Sequence, residues 1–172
     1  MLFNSYVFLF LFLPATWFSF RLACSRRTTN AALAVLLAAS LLFYSYWNPP
    51  FILLILFSIL FNHTWGRRIE RTVSQGGNVK TWLFSGLGVN LALIAYFKYA
   101  NFFMTNLALL CGAEWLPREI FLPLGISFFT FQQMSYLVDC SKGLVREHSF
   151  TRYALFVSFF PQLIAGPIVR YD

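Results

Sequence analysis

The chain has 172 residues, of which 59% are hydrophobic, 20% aromatic and only 11% charged. A soluble domain has about 25% charged residues, so this chain has too few charges to cover a globule. The composition therefore argues against an ordinary soluble domain and predicts a polytopic membrane protein. The Lys and Arg residues that give the formal net charge of +7 are then expected to lie mainly in loops on one side of a membrane. No basic run with interleaved aromatic residues lies in a polar context, so we expect no nucleic-acid partner.

Apolar runs predict about six membrane spans in a single transmembrane domain over residues 1–172. The predicted spans cover residues 6–20, 30–47, 50–63, 81–97, 120–139 and 153–169. Between the fourth and fifth spans, residues 100–111 place Asn101 and Thr105 on one helical face, opposite Phe102, Phe103 and Leu107. That pattern predicts a short helix lying in the membrane interface. The predicted fold class is therefore all-α, a transmembrane helix bundle.

Basic residues divide unevenly between the two sides of the predicted bundle. The loops that follow spans one, three and five hold ten of them: Arg21, Arg26, Arg27, Arg67, Arg68, Arg71, Lys80, Lys142, Arg146 and Arg152. The other side holds three, which are Lys98, Arg118 and Arg170. Because cytoplasmic loops carry an excess of Lys and Arg, this bias places the odd-numbered loops in the cytoplasm and predicts an N-terminus outside.

The fifth span carries a polar stripe. At 100 degrees per residue, Gly125, Phe128, Ser135, Tyr136 and Asp139 all fall within about 60 degrees of Gln132. A polar side chain in the bilayer must face the bundle interior or a wet cavity. The stripe is therefore either a helix–helix interface held by hydrogen bonds or the wall of a substrate cavity. Our cavity-lining candidates in this span are Gln132, Ser135, Tyr136 and Asp139.

Proline and glycine interrupt the last two spans. Pro123 and Gly125 interrupt the fifth span early, and the sixth contains Pro161, Gly166 and Pro167. A proline removes a backbone donor, and irregular backbone in lipid is tolerated only where protein or a cavity meets the freed groups. We therefore expect these five residues to be structural breaks and add Gln162 and Arg170 to the cavity-lining candidates.

Other polar residues have simpler interpretations. Gly86 and Gly88 form a lone GxG without the strand and acidic residue of a dinucleotide site, so close helix packing is expected. Asn90 is expected to hydrogen-bond to another helix. His63 and His148 are interpreted as interfacial or solvated rather than catalytic. The cysteines, Cys24, Cys111 and Cys140, are widely spaced, so we expect neither a disulfide framework nor a metal site, and no bound cofactor.

Four stretches resemble the membrane-bound O-acyltransferase family. The segment LPLGISFFTFQ at 122–132, followed by Ser135, Tyr136 and Asp139, is similar to one family signature. The segment FPQLIAGPIVRY at 160–171 is similar to the next signature along, and LFNSYVFLF at 2–10 and YFKYANF at 96–102 also match. The resemblance covers the whole chain and points to the bacterial branch that includes alginate O-acetylation membrane proteins.

The resemblance implies a ring of transmembrane helices around a thin central region. In such proteins an acyl group arrives from the cytoplasmic side, and a hydroxyl acceptor on an exported polysaccharide enters from outside. A histidine in the second half of the family is the catalytic base, and no residue here matches it. The resemblance therefore implies the N-terminal portion of a longer enzyme, inactive alone, with other envelope polysaccharide acetylation proteins as possible partners. The alternatives are a non-catalytic remnant or assembly subunit and, third, a binding or transport role.

Overall fold

A computed structural model of the chain describes residues 5–25, 29–47, 49–111, 120–145, 149–165 and 171. Every regular element within these ranges is helical. The α-helices are α1 (Leu13–Ser25), α2 (Thr29–Trp47), α3 (Phe51–Ser74), α4 (Val79–Ile94), α5 (Ala100–Leu110), α6 (Ile126–Ser141), α7 (Phe150–Ser158) and α8 (Phe160–Ala165). Five-residue π-helical turns precede α1 at Phe8–Phe12 and join α4 to α5 at Ala95–Tyr99.

Three helical stretches are long and apolar enough to cross a membrane. They are Phe8–Ser25, Thr29–Tyr46 and Val79–Leu110, with mean hydropathies of 1.4, 1.5 and 1.3. Large apolar side chains on them are exposed, such as Phe10, Trp17 and Leu110 at 75%, 57% and 84%. An all-α membrane helix bundle is therefore confirmed. The third stretch includes α5, and the interfacial position of α5 stays a prediction.

The third predicted span is wrong at its C-terminal end. Instead of stopping near residue 63, α3 continues for a further 11 residues through the segment expected to be a basic loop. Arg and Glu are good helix formers, and Ile69 extends the buried stripe of Ile55 and Ile59 at helical spacing. The helix stops only at Gln75, before Gly76 with φ +65°.

The fifth predicted span begins too early. Residues 120–125 are not helical, and α6 starts at Ile126 directly after Gly125, whose φ is +67°. A left-handed backbone conformation suits glycine because it has no Cβ. The extended segment is held by Asn101 of α5, whose Nδ2 donates to the Ile120 carbonyl at 2.8 Å and whose Oδ1 accepts the Ile120 N–H at 2.9 Å.

The sixth predicted span is divided into two helices. It starts at Phe150 rather than 153, and Phe159, at φ −57° and ψ 109°, separates α7 from α8. Pro161 lies in the first turn of α8, where its missing N–H costs no helical hydrogen bond. The freed N–H of Phe160 donates to Ser40 Oγ of α2 at 3.4 Å. Gly166 and Pro167 lie outside the described residues.

The core lies where α2, α3, α6 and α7 meet. Its fully buried side chains include Ile55, Ile59, Phe129, Leu137 and Val157. A second cluster of Phe8, Phe43 and Phe160, with Phe12 against it, ties the first helical stretch to α2 and α8. This packing fixes α6, with its polar stripe, between α3, α4 and α7.

Candidate functional site

Helix α6 carries four polar side chains into the middle of the bundle. Gln132, Gln133, Tyr136 and Asp139 are between 0% and 3% exposed, and Ser135 is half-buried. Buried polar groups in a membrane bundle need partners or a wet cavity, and they mark functional sites by default. The contacts of each side chain therefore indicate whether it holds helices together or is a candidate for a cavity wall.

Gln133 belongs to a hydrogen-bond network that joins three helices. Its Oε1 accepts from Ser58 Oγ of α3 at 2.7 Å and from Asn62 Nδ2 of the same helix. Asn62 and Asn90 of α4 exchange a reciprocal amide pair, with N···O distances of 3.1 and 2.7 Å. All four side chains are 2% exposed or less. The network therefore cross-links α3, α4 and α6, and the interhelical hydrogen bond expected for Asn90 is confirmed.

Gln132 lies one residue away but in a different environment. Its side chain is 1% exposed, and neither Nε2 nor Oε1 has a hydrogen-bond partner among the described residues. Leaving a buried amide unsatisfied costs roughly 1–3 kcal/mol for each group. Gln132 therefore stays a candidate for the cavity wall, although Nε2 of Gln133 also lacks a partner among the described residues.

Tyr136 belongs to an aromatic cluster at the α3–α6–α7 junction. Its ring centroid is 4.4 Å from that of Tyr153 and 5.6 Å from that of Tyr171. The ring also lies against Gly66 of α3, where an added Cβ would be 2.5 Å from Tyr136 Cε1. The glycine therefore permits α3 and α6 to approach closely at the tyrosine.

Asp139 is 3% exposed and is followed by the buried Cys140. Cys140 and Gly143 line a hollow of about 420 Å³ together with Arg67, Glu70 and Arg71 of α3. Asp139 itself is not among the described residues that line it. The polar stripe of α6 therefore stops at the wall of this hollow rather than opening into it.

Gln162 lies in a separate hollow of about 290 Å³ between α2 and α7. That hollow is otherwise apolar except for Arg152, and none of its described lining residues comes from α6. The structure thus does not bring Gln162 together with the α6 candidates in one cavity. Arg170, the remaining candidate, lies outside the described residues.

His63 is buried rather than solvated. Its side chain is 8% exposed, and its ring centroid is 5.2 Å from that of Phe150 and 5.5 Å from that of Tyr153. The contacts arise because α3 continues past the predicted span end, which places His63 in mid-helix against α7. His148 lies outside the described residues.

Ser58, Asn62 and Gln133 were missed as polar partners in the sequence. Gln133 is 100 degrees from Gln132 on a helical wheel, so it falls outside the polar stripe defined around Gln132. The available signal was a serine and an asparagine spaced by four residues inside an apolar run, which places both on one face of α3.

Comparison with known proteins gives relatives that align along the whole chain. The peptidoglycan O-acetyltransferase of Helicobacter pylori is 37% identical over 198 residues, covering 100% of this chain and 37% of that protein. The Pseudomonas aeruginosa protein named "Probable alginate O-acetylase AlgI" is 38% identical over 176 residues, covering 99% of this chain and 33% of that protein. The chain belongs to the membrane-bound O-acyltransferase family.

The Azotobacter vinelandii protein, also named "Probable alginate O-acetylase AlgI", is 37% identical over 176 residues, which cover 99% of this chain and 34% of that protein. The chain thus spans about a third of the length of the curated family members it matches. No family model and no solved structure matches the chain.

Proposed function

We propose that this chain is part of a membrane enzyme that transfers acetyl groups to hydroxyl groups of an exported polysaccharide. The observation that carries the proposal is the alignment of the whole chain with proteins named for peptidoglycan and alginate O-acetylation. The described helices supply a membrane-embedded bundle with buried polar groups, which is the setting such a transfer between two sides of a membrane requires.

Within this bundle, we assign Gln132 to the polar wall of the reaction cavity, with Ser135, Tyr136 and Asp139 of the same face beside it. The supporting observation is the buried amide of Gln132, which has no partner among the described residues. An amide can donate to a carbonyl oxygen and accept from a hydroxyl group, and an acyl transfer to an alcohol presents both. We assign the base that activates the hydroxyl to a histidine in the part of the longer family members that this chain does not cover.

We place the chain in a bacterial cytoplasmic membrane with its N-terminus outside, among other polysaccharide acetylation proteins of the envelope. Contacts at the basic ends of α3, α4 and α6 support this topology. Arg68 of α3 lies over the rings of Trp65 and Trp82, at 5.7 and 5.5 Å from their centroids. The α3 and α6 ends also share the hollow lined by Arg67 and Gly143. The basic ends of α3, α4 and α6 therefore lie on one side.

A reporter fusion tests this topology at Gly77, an exposed residue between α3 and α4. We expect activity from a reporter that works only in the cytoplasm, because the basic ends are retained there. A fusion after Cys111, on the opposite side, is the matched control and should give the reverse result. Activity of a periplasm-dependent reporter at Gly77 would show that the orientation is wrong.

The enzymatic proposal is tested by transplanting the chain into a relative. The chain replaces the segment of the Pseudomonas aeruginosa alginate O-acetylase with which it aligns, in a strain that lacks the native gene. We expect the chimera to restore acetylation of the exported alginate, measured as ester-linked acetate, because the chain supplies the equivalent part of the fold. The 172-residue chain expressed alone is expected to restore none.

Two outcomes would contradict the proposal. A chimera that is inserted and stable in the membrane but transfers no acetate would show that the chain does not provide the equivalent part. Acetylation by the isolated chain would show that the base lies within it. The amount of inserted protein, measured by immunoblot of the membrane fraction, is the control in both cases.

A further inference from the structure

The hollow between α2 and α7 has two distinct parts. Its lining is mostly apolar, and the one charged residue in it is Arg152, an exposed residue in the first turn of α7. The lining residues are Leu33 and Leu36 from α2, Arg152, Leu155 and Phe156 from α7, and Phe159 with Gln162 at the helix break. An apolar hollow of about 290 Å³ with one cationic side chain in its lining is suited to an amphipathic anion.

The position of the hollow indicates that an occupant would come from the lipid bilayer. One wall is α2, which is apolar and long enough to cross a membrane. Arg152 lies in the first turn of α7, and Ser158 is six positions farther along the helix, a rise of about 9 Å. The apolar lining residues Leu155, Phe156 and Phe159 follow Arg152 along the chain, so the apolar part of the lining extends away from the arginine.

We propose that this hollow binds one molecule of an anionic phospholipid, with its phosphate on Arg152 and an acyl chain along Leu33, Leu36 and Leu155. Guanidinium groups pair with phosphate oxygens through two parallel hydrogen bonds. Basic pockets between transmembrane helices bind anionic headgroups in this way. The apolar side chains take up the acyl chain and give no preference among headgroups, so selectivity for the anion resides in Arg152.

The test uses the full chain in bilayer discs with equal amounts of phosphatidylglycerol and phosphatidylcholine. After transfer to mild detergent, native mass spectrometry counts the lipids that stay bound. We expect the wild-type chain to retain phosphatidylglycerol about fivefold over phosphatidylcholine, the preference that one basic residue near a membrane surface gives. Arg152→Gln should abolish this preference, and Arg152→Lys should retain most of it.

Matched substitutions separate this site from general attraction to a basic protein. Arg21→Gln removes an exposed arginine of α1 that lies over Trp17 instead of a hollow, and it should leave the preference unchanged. Leu36→Trp fills the hollow and should lower retention of both lipids. Leu53→Trp, at a residue of α3 that is 71% exposed, should lower neither. Helical content by circular dichroism verifies that each variant is folded.

Three results would overturn the proposal. The wild-type chain could retain no lipid, as expected if another protein segment covers the hollow. Arg152→Gln could keep the wild-type preference, as expected if the arginine only extends to the interface. Arg21→Gln could reduce the preference as much as Arg152→Gln, as expected from net charge alone. If Leu36→Trp does not fold, the two arginine substitutions still decide the question.

Discussion

Two glycines in α4, two residues apart, have opposite surroundings. A Cβ on Gly86 would lie 2.7 Å from Trp65 Cδ1 and 2.8 Å from Leu137 Cδ1, whereas a Cβ on Gly88 would meet nothing within 4 Å. The sequence predicted close packing around this pair, and the structure assigns it to Gly86 alone. The distinction depends on where α3 and α6 cross α4, which a single sequence does not contain.

The two glycines predict opposite effects of the same substitution. Gly86→Ala should destabilise the bundle by about 1–3 kcal/mol, because the new methyl group overpacks Trp65 and Leu137. Gly88→Ala, the matched control, should be neutral or slightly stabilising, because alanine favours helix and the space is open. Thermal unfolding in detergent, followed by circular dichroism, measures both. Equal stability of the two variants would contradict the close approach at Gly86.

Among the helices, the start of α6 shows what the sequence could and could not predict. The interruption at Pro123 and Gly125 was visible because proline and glycine have backbone preferences of their own. The exact start at Ile126, and the anchoring of Ile120 by Asn101, were not visible. The anchoring of Ile120 depends on a contact between residues 19 positions apart in the chain, whereas the sequence pattern placed Asn101 only on a polar helix face.

The anchor predicts a local effect on the segment before α6. Asn101→Ala removes both hydrogen bonds to the Ile120 backbone, so amides at 120–125 should exchange with solvent about tenfold faster, as expected for a loss of roughly 1.4 kcal/mol. Asn106→Ala is the matched control, because among the described residues that exposed amide bonds to Phe102 O within its own helix. Hydrogen exchange with mass spectrometry gives both rates. Unchanged exchange in Asn101→Ala would mean that the segment is held by other contacts.

Across the whole molecule, composition was enough to predict an all-α membrane bundle, and the motif resemblance was enough to predict its family. The full length of α3 was missed, because its last 11 residues are mostly polar and bury only a narrow stripe with Gly66 and Ile69. The break before α6 was visible at Pro123 and Gly125, but the sequence did not show that the helix starts only after it. The sequence also allowed two interpretations of the polar stripe on α6, a hydrogen-bonded helix–helix interface or the wall of a substrate cavity. Among the described residues Gln133 is bonded to Ser58 and Asn62, whereas Gln132 has no hydrogen-bond partner, and the cavity role of Gln132 stays a prediction.

These adjacent glutamines therefore predict different defects in the alginate O-acetylase chimera. Gln133→Leu leaves Ser58 and Asn62 without their acceptor and should destabilise the bundle by about 1–2 kcal/mol, lowering insertion and transfer together. Gln132→Leu removes an amide that has no such bonds to the described residues, so stability and insertion should be kept or improved. Transfer should still fall, because the amide is expected to contact the reacting groups only in the assembled enzyme.

Acetate transferred per inserted molecule, compared between Gln132→Leu and Gln133→Leu in this chimera, tests the account most directly. We predict a loss of at least about tenfold for Gln132→Leu, as for other hydrogen-bond donors that act in an acyl-transfer transition state. Gln133→Leu is predicted to transfer nearly as much per inserted molecule as the unsubstituted chimera. Full transfer by Gln132→Leu, or a loss of transfer that only follows its loss of insertion, would contradict a role of the α6 polar face in the reaction.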